Sequence, residues 1–329
     1  MTIESTYQCN LTMSFSRPTV IFGGSGFLGH ALMARLAQQG RIIRVPTRNM
    51  DKARSLKISG YGGQIVPFLN APCSDASVAH AVANADTVIN LIGVLNESRG
   101  NFYQNIHVEI PARIARIAKQ QGVKNFIHVS FLGANNRAKS KLARSKAAGE
   151  KAVLAFFPEA TIFRPSIIFG PQDRLFNRLA ARARFLPAFP VIGGGQTRFQ
   201  PVYVGDVAQA IIMALQKPNK AQGKVFELGG PDILSVREIL QTLFRETKHP
   251  RPLVNIPLEL AKALAPILGL LPNPLLTADL LNLLAEDNIV CDTTALTFRD
   301  LGLTPTPVKQ ILPTYLYGPP DLEEQGTVD

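Results

Sequence analysis

The chain has 329 residues, of which 46% are hydrophobic and 18% are charged, and its formal net charge is +11. This length and composition are those of a folded protein with a substantial core, and they exclude a disordered chain. The 3 cysteines and 5 histidines show neither disulfide nor metal-ligand spacing, so we expect no disulfide framework, no zinc site and no metal cofactor.

The positive charge favours an anionic partner, and three classes fit: nucleic acid, an anionic lipid surface, or an acidic protein or substrate. No nucleic-acid-binding motif accompanies the charge and Trp is absent, so we expect no nucleic acid partner. The longest uncharged run, residues 263–278, contains three prolines and is too short to cross a membrane.

Residues 1–17 precede the first predicted element. They contain neither an apolar h-region nor a run of arginines, so we expect a disordered N-terminal extension and no secretory signal or transit peptide. Met13 is an alternative start to Met1, because folding signals begin only at Pro18.

The most informative feature is a glycine-spaced turn between a predicted strand, Thr19–Phe22, and an amphipathic helix, His30–Gln39. Glycines let the backbone turn sharply and approach a pyrophosphate, whose charge then lies at the positive end of the helix. The alternative is a close-packed strand–turn–helix without a ligand. We predict a dinucleotide site, formed in this turn by Gly23, Gly24, Ser25, Gly26, Phe27, Leu28 and Gly29.

Strands and helices then alternate with short connections, which is typical of a parallel, doubly wound sheet. The further predicted strands are Arg41–Val45, Gln64–Pro67, Thr87–Leu91, Asn125–Ser130 and Ala160–Phe163. The further predicted helices are Lys52–Ile58, Val78–Ala83, Gln104–Gln121 and Leu142–Phe157. Gly40 and Gly122 are expected to end two of the helices. The predicted fold is therefore α/β and Rossmann-like, with helices on both faces of the sheet.

Residues at the strand ends extend the predicted site. An NAD-preferring site usually offers an acidic residue at the end of the second strand, but this chain has no carboxylate there before Asp51. Arg48 lies at that strand end and suits a 2′-phosphate, so we predict NADPH, with NADH as the second possibility; the alternative is an ordinary surface arginine. The other cofactor-binding candidates from strand ends are Asn70, Leu91, Ile92 and Gly93.

After Pro165 the pattern loosens into short strands and helices. Predicted strands are Phe199–Val202 and Lys224–Leu228, and predicted helices are Gly205–Leu215 and Ser235–Thr247, followed by a leucine-rich helical segment, Pro257–Ala285. We expect a dinucleotide-binding domain over residues 18–170, a smaller α-rich C-terminal part over residues 171–318 that interleaves with it, and an acidic tail over residues 319–329.

Six sequence runs together resemble the extended or atypical short-chain dehydrogenase/reductase family. They are Val20–Gly29, Val88–Gly93, Phe126–Ser130, Ser145–Lys151, Arg164–Gly170 and Gln200–Ala208. Within that family, the runs Ile89–Gly93, Arg144–Val153 and Phe157–Ala160 are similar to the nucleotide-binding accessory subunits of respiratory complex I and their bacterial relatives. The resemblance extends from about Pro18 to Leu228.

The resemblance implies a site built on a Tyr-x-x-x-Lys helix. Lys146 matches the lysine that binds the ribose, and Ser130 matches the serine that polarises a substrate carbonyl. Further cofactor contacts are implied at Pro165, Ser166, Ile167 and Ile168. The position of the proton-donating tyrosine is Leu142, and a leucine cannot transfer a proton.

Three interpretations of Leu142 are open. The chain binds the dinucleotide without turning it over, another group such as Tyr103 or Tyr203 supplies the proton, or the helix register differs. No tyrosine lies between residues 104 and 202, so a shifted register does not restore the motif. We favour loss of the usual chemistry, and whether the chain is an enzyme stays open.

A group of arginines interspersed with phenylalanine and leucine indicates the kind of partner. The arginines are Arg174, Arg178, Arg182, Arg184 and Arg198. Arginine beside apolar side chains suits an anionic membrane surface, a phosphorylated lipid or an acidic protein. The leucine-rich runs Leu258–Leu271 and Leu275–Leu284 are by default a buried helical pair, and alternatively a face toward a membrane or a subunit.

The combined hypothesis is an NADP(H)-binding accessory or assembly component of respiratory complex I or of quinone metabolism, with lost or altered catalysis. We expect membrane-associated complex I subunits as partners and a cytoplasmic location, peripheral on the inner membrane of a bacterium or on the matrix side in a eukaryote. One alternative is an active NADPH-dependent reductase or epimerase acting on a quinone, an isoprenoid or a nucleotide sugar. A second alternative is an NADPH-sensing regulator.

Overall fold

A computed structural model describes residues 17–98, 100–173, 175–268 and 277–316. The predicted disorder of residues 1–16 and of the acidic tail concerns residues outside these ranges. The strands are β1 Thr19–Phe22, β2 Ile43–Thr47, β3 Ile65–Leu69, β4 Thr87–Asn90, β5 Asn125–Val129, β6 Thr161–Pro165, β7 Ile168–Phe169, β8 Phe189–Ile192, β9 Arg198–Phe199, β10 Val202–Tyr203, β11 Val225–Leu228, β12 Leu234–Ser235 and β13 Leu253–Ile256.

The helices alternate with these strands through most of the chain. They are α1 Phe27–Gln38, α2 Met50–Arg54, α3 Asp75–Val82, α4 Ile110–Gln120, α5 Lys141–Phe156, α6 Leu175–Phe185, α7 Val204–Gln216, α8 Pro218–Ala221, α9 Val236–Glu246, α10 Leu258–Leu268, α11 Ala278–Leu283 and α12 Val308–Leu316. A π-helical turn, Gln104–Glu109, leads directly into α4. Within the described ranges, no helix is both long enough and apolar enough to cross a membrane.

The central sheet has seven parallel strands in the order β11-β6-β5-β4-β1-β2-β3. Its strands are buried on both faces: in β1, Ile21 packs toward α1 and α7, whereas Val20 and Phe22 pack toward α3, α4 and α5. The strand order reverses between β1 and β4, where ligands of such sheets bind at the carboxyl ends of the strands. The α/β, Rossmann-like prediction is confirmed.

Most C-terminal elements pack in clusters apart from the faces of the sheet, whereas α7 packs on α1 and β11 is a strand of the sheet. A separate core joins α6, α9 and α12, and a smaller cluster of Ala261, Ala265 and Leu281 joins α10 to α11. The helices α10 and α11 contact each other, but the predicted burial of the pair is only partial, because Leu260 and Leu264 on α10 are 52% and 39% exposed. Residues 269–276 lie outside the described ranges.

Several predicted elements differ from the structure; the predicted helix Lys52–Ile58, for example, is α2 followed by a 3-10 helical turn, Ser55–Ser59. The predicted strand Phe199–Val202 is wrong: β9 and β10 are separate two-residue strands in different small sheets, because Gln200 bonds Asn288 and Pro201 has no N–H to donate. The first helix begins at Phe27 rather than His30, since α1 starts inside the glycine turn with Gly26 as its N-cap.

Candidate functional site

The turn between β1 and α1 has space for backbone only. Gly23 has a φ of +77°, and a Cβ on it would lie 3.0 Å from the Ile92 nitrogen, so the ends of β1 and β4 are in contact. A Cβ on Gly24 would lie 2.8 Å from Val45 Cγ1, and one on Gly29 would lie 2.1 Å from the Gly24 carbonyl oxygen. A Cβ is therefore excluded at Gly23, Gly24 and Gly29, so the backbone of the turn packs directly against the end of β4, against Val45 of β2 and against the start of α1.

The N-terminus of α1 suits an anion. Gly26, the N-cap, has no side chain to accept from the first-turn amides, and no acidic residue lies in that turn. Ser25 and Phe27 are half-buried beside it, and Leu28 packs into the core. Free amides and the positive end of a 12-residue helix therefore lie together at the strand-order reversal, which fits the pyrophosphate of a dinucleotide.

The ends of β2 and β3 offer two polar groups of different kinds. Arg48 is exposed, and its guanidinium forms no ion pair within the described part of the chain. Asn70 donates its amide N–H to the Ser77 carbonyl at 3.0 Å, whereas its side-chain oxygen is buried without a hydrogen-bond partner among the described residues. An orphaned buried acceptor of this kind fits a ligand donor on the adenosine side of the site.

Lys146 and Ser130 meet at the ends of β4 and β5. Lys146 is 8% exposed, and its Nζ lies 3.5 Å from the Val129 carbonyl oxygen and 3.0 Å from where a Cβ on Gly93 would be. The Ser130 hydroxyl is buried with no partner in the described structure. Burial lowers the pKa of Lys146 to about 8, although Glu150 one turn later raises it. A polar ligand beside Ser130 and Lys146 would provide hydrogen-bond partners for the hydroxyl and the ammonium group.

The pKa of Lys146 makes the stability of the ligand-free protein depend on alkaline pH. Below pH 8 the lysine is protonated in both states, and the folded state carries the full penalty of burying the charge. As the pH rises from about 8 toward the unfolded value near 10.4, the unfolded chain binds more protons and the penalty is relieved. We expect the stability of the wild type relative to Lys146→Met to rise by on the order of 1 to 3 kcal/mol between pH 7 and 10, measured by urea unfolding. A constant difference between the two proteins would contradict the buried, charged lysine.

Leu142 is 2% exposed in the first turn of α5, one turn before Lys146 on the same helix. The turn is capped from far along the chain: the Asp279 carboxylate accepts from the Lys141 amide at 2.6 Å and from the Leu142 amide and Ser140 hydroxyl at 3.0 Å. Sequence reasoning missed Asp279, because a cap from 137 residues away leaves no local pattern.

Tyr103 is poorly suited to replace the missing acid. Its hydroxyl donates to the Leu95 carbonyl at 2.7 Å, and burial, together with the nearby Asp279 and Glu97 carboxylates, raises its pKa well above the ordinary value. Tyr203 lies on β10, where its ring packs against Phe169 at 6.0 Å between centroids.

Backbone hydrogen bonds to neighbouring segments and one buried asparagine side chain hold the segment from Pro165 to Ile168 in place. The Pro165 carbonyl accepts from the Leu132 amide at 2.9 Å, and the Ile167 carbonyl accepts from the Val202 amide at 2.9 Å. Ser166 donates its hydroxyl to Asn288 Oδ1 at 2.7 Å, so its side chain ties the C-terminal part to β6. The cofactor contact of this segment stays a prediction, and Asn288 had no signal in the sequence.

The predicted basic group is divided by the structure. Arg198 pairs with Asp287 at 2.7 Å, while Arg178, Arg182 and Arg184 lie on α6. Arg174 lies outside the described residues. Among the residues that the structure describes, no three His, Cys, Asp or Glu side chains meet as a possible metal site.

Comparison with known proteins agrees with this geometry. Residues 19–229 match the model of the NAD dependent epimerase/dehydratase family. The chain is 39% identical over 300 residues to the mitochondrial NADH dehydrogenase (ubiquinone) 1 alpha subcomplex subunit 9 of Arabidopsis thaliana, covering 88% of this chain and 74% of the relative. It is 34% identical over 300 residues to the mitochondrial NADH-ubiquinone oxidoreductase 40 kDa subunit of Neurospora crassa, covering 90% and 78%.

A solved structure with the same fold is the UDP-glucose 4-epimerase of Thermotoga maritima with UDP-glucose, at a TM-score of 0.68 and 18% identity over 91% of this chain and 97% of that one. The likeness to the epimerase shows the fold alone, whereas the family match and the two relatives extend over most of the sequence. The chain therefore belongs to the NAD dependent epimerase/dehydratase family, in the branch that contains these two NADH dehydrogenase subunits.

Proposed function

We propose that this protein binds NADPH tightly as a structural group and serves as an accessory or assembly component of NADH dehydrogenase (respiratory complex I), without the usual dehydrogenase turnover. The observation that carries the proposal is Leu142, buried one turn before Lys146 in a site otherwise suited to a dinucleotide. The relatives of this protein from Arabidopsis thaliana and Neurospora crassa are named as subunits of NADH dehydrogenase and of NADH-ubiquinone oxidoreductase.

Each part of the site has a role in this proposal. The amides at the start of α1 bind the pyrophosphate, Arg48 binds the 2′-phosphate, and Lys146 holds the ribose. The nicotinamide, when bound, supplies a hydride. With Leu142 in place of a phenol, the side chain at the family's proton-donating position cannot protonate the product of a hydride transfer, so we expect binding without consumption. A dinucleotide that binds the folded state and not the unfolded chain would stabilise the protein.

Mass spectrometry of the small molecule released from the purified protein tests the proposal. We expect NADPH at near one equivalent, no oxidation of it by added quinones or carbonyl compounds, and co-purification with membrane-bound complex I subunits. Sustained NADPH oxidation would instead support the active reductase, for which the unpartnered Ser130 hydroxyl and Lys146 are the remaining groups. Purification of the protein without a bound dinucleotide and without any complex I subunit would contradict the proposal.

We further propose that the protein lies at the inner membrane surface, cytoplasmic in a bacterium and on the matrix side in a eukaryote. Support comes from α6, which carries Arg178, Arg182 and Arg184, and from Phe185 at its end, which is 85% exposed. Basic and apolar side chains together bind an anionic lipid surface or an acidic partner beside it. Release from membranes by high salt would support this location, because exposed charge pairs are screened.

Arg48→Ala is expected to separate the two nicotinamide cofactors. The exposed guanidinium would form charge-assisted hydrogen bonds only with the 2′-phosphate, and such bonds contribute roughly 1.5 to 3 kcal/mol. We expect NADPH affinity to fall by about tenfold or more and NADH affinity to stay within about twofold, measured by calorimetric titration. Arg54→Ala is the control, since Arg54 already pairs with Asp51 at 3.4 Å. Equal weakening of both cofactors by Arg48→Ala would show that Arg48 does not select NADPH.

A further inference from the structure

His107 connects the two walls of the site near Lys146. It lies in the π-helical turn before α4 and is 1% exposed. Its Nε2 accepts from the Val94 backbone N–H at 3.1 Å, and its Nδ1 lies 2.8 Å from the Ser145 hydroxyl. One side chain thus joins the loop after β4 to helix α5, and nothing in the dinucleotide motif accounts for it.

The hydrogen bonds of His107 have one consistent direction. Because Nε2 accepts from Val94, the proton is on Nδ1, which donates to the Ser145 hydroxyl. The Ser145 hydroxyl in turn donates to the Leu142 carbonyl at 2.8 Å. Burial and the nearby Lys146 charge lower the pKa of His107 to about 3, so the ring stays neutral and keeps this tautomer at physiological pH.

Packing holds the imidazole in place. Gly149 lies one turn after Ser145 on α5, and a Cβ on it would be 1.9 Å from the His107 carbonyl oxygen, so the π-turn is pressed against the helix. The ring of Tyr103 stacks on the imidazole, at 5.1 Å between ring centroids and 16° between ring planes. A π-turn that places a buried polar side chain is a feature often found at functional sites.

The loop after β4, which His107 binds through the Val94 amide, lies beside Lys146. Val94 follows Gly93, and the point where a Cβ on Gly93 would lie is 3.0 Å from Lys146 Nζ and 3.9 Å from His107 Nε2. Any movement of the Val94 amide away from His107 therefore changes the spacing between the backbone after β4 and the lysine. This part of the site follows β4, whereas Arg48 and Asn70 lie at the ends of β2 and β3, which are two and three strands away in the sheet.

We infer that His107 is a positioning residue for the nicotinamide half of the dinucleotide: it fixes the backbone at Gly93–Val94 relative to Lys146. The inference rests on the proposed function as a dinucleotide-binding protein. It predicts a selective effect, since the phosphate- and adenosine-binding groups do not contact His107.

Two ligands separate a positioning role from a general structural role. NADPH carries the nicotinamide and the ribose that Lys146 would hold, whereas 2′-phospho-ADP keeps the adenosine, its 2′-phosphate and the diphosphate but lacks both of them. In His107→Phe, which keeps the ring stack on Tyr103 but loses both hydrogen bonds, we expect the Kd of NADPH to rise about tenfold and that of 2′-phospho-ADP to change less than about twofold. In His107→Gln the amide oxygen again accepts from the Val94 N–H, so most of the NADPH affinity should return.

Ser145→Ala provides a milder variant if His107→Phe does not fold. It removes the acceptor of Nδ1 and leaves the bond to Val94, so we expect the same ligand selectivity with a smaller change. Equal weakening of both ligands, or no change in either, would overturn the positioning role. Failure of the wild type to bind either ligand would instead refute the proposed dinucleotide binding, so the two failures are distinguishable.

Discussion

Replacing Gly29 with alanine is expected to abolish dinucleotide binding. The added Cβ would lie 2.1 Å from the Gly24 carbonyl oxygen and 2.5 Å from its carbonyl carbon, far inside contact distance. Both groups are backbone, so relief requires α1 to move away from the turn after β1. That movement displaces the first-turn amides from the position in which they would meet the pyrophosphate. We expect the Kd of NADPH to rise at least about a hundredfold, which is about 2.7 kcal/mol.

The same change should lower the free energy of unfolding, because overpacking of this kind costs about 1 to 3 kcal/mol. Urea unfolding without ligand and calorimetric titration of the folded protein measure the two effects separately. Gly62→Ala is the matched control, since a Cβ there meets nothing within 4 Å and its φ is not positive. Gly62→Ala should leave both quantities unchanged, and retention of NADPH binding by Gly29→Ala would contradict the assignment of the turn.

The glycine turn and the parallel sheet were predictable because their causes are local. The run Thr19–Phe22 has three β-branched residues and no charged position, so it indicates a strand buried on both faces. The glycines then mark where only backbone fits. Leu142 and Lys146 were placed correctly for a similar reason: four residues on one helix are one turn apart, whatever surrounds them.

The residues that sequence reasoning missed act through contacts between distant segments. Asp279 caps α5 from 137 residues away, and Asn288 joins Ser166 to the Leu132 carbonyl. In the sequence, a carboxylate or amide at these positions cannot be told from a side chain that faces solvent. The predicted strand Phe199–Val202 failed for a related reason, since its apolar pattern was correct but Gln200 is bonded to residues near 230 and 288–290.

Replacing Arg164 with methionine is expected to destabilise the protein by about 3 kcal/mol. Arg164 on β6 forms a bidentate pair with Glu150 on α5, at 2.7 and 3.0 Å, and a third bond to Glu227 on β11 at 3.2 Å. Glu150 is buried, so removing the guanidinium leaves its carboxylate without its hydrogen-bonded counterion, although the charge of Lys146 one turn earlier remains nearby. The same contact holds α5, which carries Lys146, against the sheet.

Urea unfolding checks this prediction against an exposed pair of the same chemistry. Arg116 binds Asp75 at 2.7 Å, with 33% and 57% of the two side chains exposed, so Arg116→Met should destabilise the protein far less than Arg164→Met. Combining Arg164→Met with Glu150→Leu should restore much of the loss, because the uncompensated buried charge is then gone. If the two changes add independently, the loss in Arg164→Met comes from packing and not from the stranded carboxylate, and α5 is held to the sheet mainly by its apolar face.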